Sequence, residues 1–92
     1  MIRVGPYSFA EVTYDEPSDV LYATRAEEPT ASRVRTPEDH ICRLDARERL
    51  IGISFMEAGE QLRREGGVYV TLPSGVKERA QGAEMAMKSP VG

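Results

Sequence analysis

The run Leu50–Met56 constrains the fold of this chain more than any other segment, because as an extended strand it is apolar on both faces. Two isoleucines and a phenylalanine alternate toward one side, and Leu50 and Met56 point toward the other beside a glycine and a serine. A strand that is apolar on both faces usually lies in the centre of a sheet, with other structure covering each side. The run therefore predicts a central strand whose second face needs a cover.

Shorter segments alternate between apolar and polar residues with the period of two that is typical of half-buried strands. They span residues 9–14, 19–25, 40–45 and 67–72, and residues 31–35 fit a short edge strand because arginines flank Val34. Helical spacing of apolar residues predicts short helices at 57–65 and 76–87. The sequence thus predicts an α+β fold: an antiparallel, meander-like sheet of four to six strands with one or two short helices, the last near the C-terminus.

The length of 92 residues predicts a single domain with a thin core, since only 19 residues are Leu, Ile, Val or Phe. We expect residues 1–75 to form the β-rich body of this domain. Residues 76–92 are expected to add a weakly packed helix and a loose tail, because the apolar positions of this helix are mostly small and Gly82 interrupts it.

The charge balance bears on the class of partner. The chain has 12 basic and 15 acidic residues, a net charge of −3, whereas nucleic-acid-binding modules usually carry excess positive charge. The arginines between residues 25 and 49 are matched by as many acidic residues, which favours ion pairing on a solvated face. The longest apolar run has seven residues, far fewer than the ~20 that span a bilayer. We therefore expect no contact with nucleic acid or membrane.

The single cysteine, Cys42, excludes a disulfide within the chain, and with no apolar leader at the N-terminus this predicts a cytoplasmic protein. Because Leu44 would share its face of a strand, we expect Cys42 to be buried. His40 lies two residues before it, so both side chains could reach one metal ion. Zinc sites usually need four ligands, however, and the chain offers one histidine and one cysteine.

An acidic turn at Asp15, Glu16 and Asp19 lacks the residue spacing of a calcium-binding loop. We expect Asp15 and Asp19 to accept hydrogen bonds from backbone amides and so close a hairpin. No nucleophile, phosphate-binding loop or metal-ligand pattern stands out elsewhere. The sequence therefore predicts no catalytic residue, no metal site and no cofactor.

Residues 14–22 read Tyr-Asp-Glu-Pro-Ser-Asp-Val-Leu-Tyr, and residues 44–55 combine an acidic turn with an apolar strand that contains Gly-Ile. In these features residues 9–56 resemble the domain-of-unknown-function 2283 family of small prokaryotic proteins. Glu48 stands where that family tends to have glycine, so we expect a wider turn or a positive φ there. The resemblance implies a small β-rich fold with a structural hairpin motif made of Tyr14, Asp15, Asp19, Leu21 and Tyr22.

Two classes of function stay open. The first is a non-enzymatic, self-associating protein-interaction module, which on the family resemblance would be antitoxin-like if it neutralises or docks a partner protein. The second is a small-ligand or metal-binding protein with minor catalytic chemistry around His40, Asp15 and the tyrosines. The two-faced central strand favours the first, and we expect a symmetric homodimer with Leu50 and Met56 at its interface.

Overall fold

The computed structural model describes residues 1–88, so the tail predicted to be loose, residues 89–92, lies outside the described residues. Antiparallel strands and two short helices make up this range. Their bounds in chain order are β1 Ile2–Val4, β2 Tyr7–Phe9, β3 Glu11–Asp15, β4 Val20–Thr24, β5 Ser32–Arg35, β6 Ile41–Leu44, β7 Leu50–Met56, α1 Ala58–Glu65, β8 Tyr69–Thr71, β9 Lys77–Gln81 and α2 Ala83–Lys88.

The strands form two antiparallel sheets, a four-stranded one in the order β2-β1-β9-β8 and a five-stranded one in the order β3-β4-β7-β6-β5. The predicted α+β class is confirmed, as is the position of the last helix near the C-terminus. The strands divide between two sheets where the sequence suggested one of four to six. None of the helices within residues 1–88 has the length and apolar character needed to cross a bilayer.

The apolar strand β7 is the centre of the five-stranded sheet, as its composition predicts. It pairs with β4 on one side and β6 on the other. Ile53 and Phe55 are completely buried and face the core, which also receives Ile2, Val4 and Phe9 from the four-stranded sheet. The core therefore lies between the two sheets, with one face of β7 turned into it and the other turned away.

A β-bulge changes the side that Leu50 faces. β6 and β7 pair regularly up to Arg43 and Gly52, but the next pair joins Leu44 to Leu50. The extra residue of β7 resets the alternation of side chains at that point. Leu50 consequently joins the core at 3% exposure, and the prediction that it shares an outward face with Met56 is wrong. Met56, at the far end of the strand, is half-buried.

The helix predicted over residues 76–87 is wrong in its first half, where the chain forms β9 between β1 and β8. Ala80 on β9 is completely buried and donates its N–H to the carbonyl of Val68 at 2.7 Å. Helix α2 begins only after Gly82, whose φ is 94 and where a Cβ would lie 2.6 Å from the carbonyl oxygen of Met1. The open edge of β1 recruits this segment as a strand, and local helical spacing carries no information about that edge.

The remaining elements are close to prediction. Helix α1 begins one residue later than expected and ends at Gly66, which adopts φ 76 and donates its N–H to the carbonyl of Leu62 at 2.9 Å. All four residues of β5 are exposed at the edge of the five-stranded sheet. Glu48 has φ 61, which confirms the positive φ expected in the turn before β7.

Candidate functional site

The hairpin of β3 and β4 fixes the start of helix α1. Asp19, at φ 57, accepts the N–H of Gly59 on Oδ1 at 2.8 Å and the N–H of Glu60 on Oδ2 at 3.1 Å. The hydroxyl of Tyr14 donates to the same Oδ1 at 2.7 Å. Asp19 therefore satisfies the first N–H groups of α1, as an N-cap side chain does, from a hairpin 40 residues earlier in the chain.

The structure does not bring the other residues of the hairpin motif together with Tyr14 and Asp19. The carboxylate of Asp15 accepts the hydroxyl of Ser18, Leu21 is completely buried, and Tyr22 is 43% exposed on the opposite face of β4. Asp19 accepts backbone amides, as expected, but they are those of α1. Asp15 accepts a side-chain hydroxyl, so the expectation that the two carboxylates close the hairpin through backbone amides is wrong. Among residues 1–88, no three His, Cys, Asp or Glu side chains come close enough to hold a metal ion.

The Tyr14–Asp19 hydrogen bond shifts both pKa values. Desolvation raises the pKa of Asp19, but the hydrogen bonds from Tyr14, Gly59 and Glu60 together hold it below its usual value. The hydrogen bond to Asp19, with smaller effects of burial and of that negative charge, raises the pKa of Tyr14 to about 12. The pair therefore stays a neutral phenol and a carboxylate across the neutral pH range, which is a structural rather than a proton-transferring state.

His40 is a buried link between the two sheets. Its Nδ1 accepts the N–H of Met56 at 2.9 Å, so its proton is on Nε2, which donates to Oε1 of Gln61 at 2.8 Å. Gln61 in turn donates to the carbonyl of Tyr69 at 3.1 Å. Burial lowers the pKa of His40 even though the bond to Gln61 opposes that shift. Both ring nitrogens are occupied, so His40 is not placed to ligate a metal or to exchange a proton with a substrate.

Cys42 faces the core, as predicted, with no exposed surface. Burial raises the pKa of its thiol to about 11, which disfavours the reactive thiolate. Two shallow depressions of about 230 and 210 Å³ lie on the surface, one around Asp45 and the other around Thr24. Small-molecule sites usually occupy about 300–1,000 Å³ and enclose most of the ligand, so neither depression resembles one.

The surface of the five-stranded sheet that faces away from the core, here called the outer face, holds the remaining candidates. Strand pairing aligns its side chains in rows that cross all five strands. The middle row reads Thr13, Tyr22, Ser54, Ile41 and Arg35, and the adjacent row reads Glu11, Thr24, Gly52, Arg43 and Arg33. Met56 begins a third row beside Val20.

The centre of the outer face has large apolar side chains on either side of a small residue, Ser54. Tyr22 and Ile41 stand on either side of Ser54, about 10 Å apart across two strand spacings. Tyr22 is 43% exposed, and Ile41 and Met56 are half-buried. The Arg43 side chain lies across Gly52, where it leaves no room for any Cβ. Large side chains thus flank a shallow trough over Ser54, and Arg43 fills the space over Gly52.

Arg43 is held flat against this trough. Its Nη2 donates to Oγ1 of Thr24 at 2.9 Å and to the carbonyl of Ala23 at 3.3 Å. Its Nε is buried and has no hydrogen-bond partner within the described part of the chain. The guanidinium therefore presents a fixed positive charge at the bottom of the outer face.

The two edges of the outer face carry opposite charges. Glu11 and Asp15 project from β3, and Arg33 and Arg35 project from β5. Arg33 lies directly opposite Arg43 on the neighbouring strand, and like charges in that position repel. Arg35 has only a loose ion pair with Asp39, at 3.9 Å. The outer face is thus acidic along one edge, apolar in its centre and basic along the other edge.

The sequence reasoning found Met56 but missed Tyr22 and Ile41 as surface residues. The signal was present in the alternation itself, because Tyr22 follows the buried Leu21 and Ile41 precedes the buried Cys42. It could not be used without the strand order, which brings β4 and β6 to either side of β7.

No family model matches this chain, and no curated protein or solved structure matches it either. The resemblance of residues 9–56 to the domain-of-unknown-function 2283 family therefore stays a prediction, together with the function and partners that it implies. The geometry of the outer face is the feature on which a functional interpretation can rest.

Proposed function

We propose that this protein is a non-enzymatic protein-interaction module and that the outer face of its five-stranded sheet is the contact surface. The observation that carries the proposal is the 43% exposure of Tyr22 beside half-buried Ile41 and Met56, all on the outer face around the small residue Ser54. Tyrosine, methionine and arginine are enriched in protein interfaces, and a large aromatic side chain beside a trough is a common energetic anchor.

The alternative, a small-ligand or metal-binding protein, has less support. Both nitrogens of His40 accept or donate a hydrogen bond within the chain, and the thiol of Cys42 is completely buried. Asp19 and Tyr14 are committed to the start of α1. An antitoxin-like role, in which the outer face docks a partner protein, is one form of the proposed function and rests on the family resemblance.

Photo-crosslinking from the outer face tests the proposal. A benzoylphenylalanine replaces Tyr22 in the chain expressed in its source cell, and the adducts are identified by mass spectrometry. The same group at Val76, which is 52% exposed in the turn between β8 and β9, is the control for non-specific collision. We expect position 22 to give discrete protein adducts that position 76 does not give.

A second substitution separates specific contact from mere exposure. Ile41→Glu in the crosslinking chain places a charge in the apolar strip, yet Ile41 is only half-buried, so the fold should persist. Loss of the adducts in this variant, with an unchanged circular dichroism spectrum, is the expected result. Equal adduct yields from positions 22 and 76, or no adducts from either, would contradict the proposed function.

A further inference from the structure

We infer that the occupant of the outer face is a second copy of this chain, related to the first by a two-fold axis that runs parallel to β7. This inference rests on the proposed function and names the partner of the same surface. The observation that carries it is the opposite charge of the two edges, with Glu11 on β3 and Arg33 on β5. Two copies bring these opposite charges together when the two-fold axis runs parallel to the strands.

The positions of Glu11 and Arg33 define the symmetry. They occupy the two ends of one row, Glu11 on β3 and Arg33 on β5, four strand spacings or about 19 Å apart. A rotation of 180° about an axis along β7 exchanges the two edges and keeps each row at its height. Glu11 of the second copy then lies over Arg33 of the first, and Arg33 of the second copy lies over Glu11 of the first.

Glu11 and Arg33 form no ion pair within the described residues, and neither does Arg43. Arg33 and Arg43 stand opposite each other on paired strands, so a carboxylate placed above them would relieve their repulsion. The carboxylate of Glu11 is positioned to supply that charge in the two-fold arrangement.

The same axis also matches the apolar centre. Tyr22 and Ile41 lie at equal distances on either side of β7 in the middle row, with Ser54 between them. The rotation places Tyr22 of each copy over Ile41 of the other, and the small side chain of Ser54 leaves room for the ring. Two sheets packed face to face commonly keep their strands within about 30° of parallel, which an axis along β7 permits.

The area of the outer face limits the affinity of the dimer, and its charges argue against other classes of partner. Five strands and three rows give a footprint on the order of 400 Å² per copy, so about 800 Å² in total, which is below the range of stable interfaces and predicts a weak dimer. A nucleic acid would meet repulsion along the acidic edge, and an acidic peptide would engage only the basic edge. A second copy pairs Glu11 with Arg33 at both edges at once.

Sedimentation velocity over roughly 5–200 µM protein tests the inference through charge reversal. We expect the mass to rise from that of the 10.2 kDa monomer toward that of a dimer. The dissociation constant should be about 10–100 µM and should increase at high salt. Glu11→Arg and Arg33→Glu should each weaken self-association at least about fivefold. An equimolar mixture of the two variants should associate more strongly than either alone, because each then supplies the charge that the other needs.

We expect both variants to keep the fold, so a change in their association reports on the contact surface. Glu11 and Arg33 are both exposed, and a glutamate at position 33 would face Arg43 across the strand pair. Glu65→Arg, at the exposed end of α1, makes the same change in net charge as Glu11→Arg but away from the outer face, and it should leave the association unchanged. Thermal unfolding of each variant checks that the fold is retained.

A monomer at every concentration, or a mixture no stronger than the separate variants, would overturn the inference. If the chain is monomeric but position 22 still crosslinks another protein specifically, the second copy is wrong and the proposed function stands. If the chain is monomeric and position 22 gives no specific adduct, both are wrong.

Discussion

Removal of the Asp19 carboxylate should be among the most destabilising changes outside the core. Asp19→Ala deletes the acceptor for two N–H groups at the start of α1 and for the hydroxyl of Tyr14. Loss of an N-cap costs about 0.5–2 kcal/mol, and loss of one further hydrogen bond costs about 1 kcal/mol. Alanine at φ 57 adds about 1 kcal/mol. We expect a total loss of about 2.5–4 kcal/mol in the free energy of unfolding.

Two matched variants divide this total. Asp39 has φ 68, is exposed and makes only a loose ion pair, so Asp39→Ala should show the backbone cost alone, about 1 kcal/mol. Asp19→Asn tolerates the same backbone and keeps one acceptor oxygen, so it should cost about half as much as Asp19→Ala. Urea unfolding with an unchanged slope measures all three. A cost of Asp19→Ala no greater than that of Asp39→Ala would refute the capping role.

Three further properties can be measured: the pH dependence of stability, the reactivity of Cys42 and the effect of a substitution at Gly59. Because the folded pKa of Asp19 lies below its usual 3.8, its contribution to stability is present above about pH 4 and lost as pH falls, and Asp19→Asn should show a smaller loss in urea unfolding toward pH 3. Tyr14, with a folded pKa of about 12 against an ordinary 10.0, contributes stability below pH 10 that is lost toward pH 12, and Tyr14→Phe should lack this loss. Cys42 should react with an aromatic disulfide reagent only as the protein opens, so rapid labelling of the native chain would contradict its burial. Gly59→Ala should lower stability by about 1–2 kcal/mol although alanine favours helices, because its Cβ would lie 2.9 Å from Asp19 Oδ1, and an unchanged urea midpoint would argue against that contact.

The parts of the fold that the sequence predicts correctly are those specified by local patterns. The central position of β7 follows from apolar residues on both faces, and the end of α1 follows from Gly66. The edge position of β5 follows from the arginines beside Val34. Each of these elements reports its environment through residues only a few positions apart.

The parts that the sequence does not predict depend on distant segments. β1 and β2 have three residues each, too few to display a period, and β9 becomes a strand because it completes the sheet beside β1. The bulge that turns Leu50 inward depends on pairing with β6. Asp19 acts on a helix 40 residues away, and nothing in its own turn indicates that.

The sequence predicts that a second face of the sheet is important, but it does not predict most of the residues on that face. The apolar residues on both faces of β7 predict that the face turned away from the core needs a cover, and Met56 lies on that face. The residues that give the outer face its character, Tyr22 and Ile41, come from β4 and β6 and meet there through strand order. Opposite charges at its two edges likewise appear only when the five strands are assembled.

Hydroxyl-radical footprinting at increasing protein concentration tests most directly whether the outer face is a contact surface between copies. Tyr22 and Met56 report on the outer face, and Met85, which is 74% exposed on α2, is an internal control in the same molecule. Between about 5 and 200 µM protein, the range expected for a small interface, oxidation of Tyr22 and Met56 should fall while oxidation of Met85 stays constant. Oxidation of Tyr22 and Met56 that does not change with concentration would contradict self-association through this face.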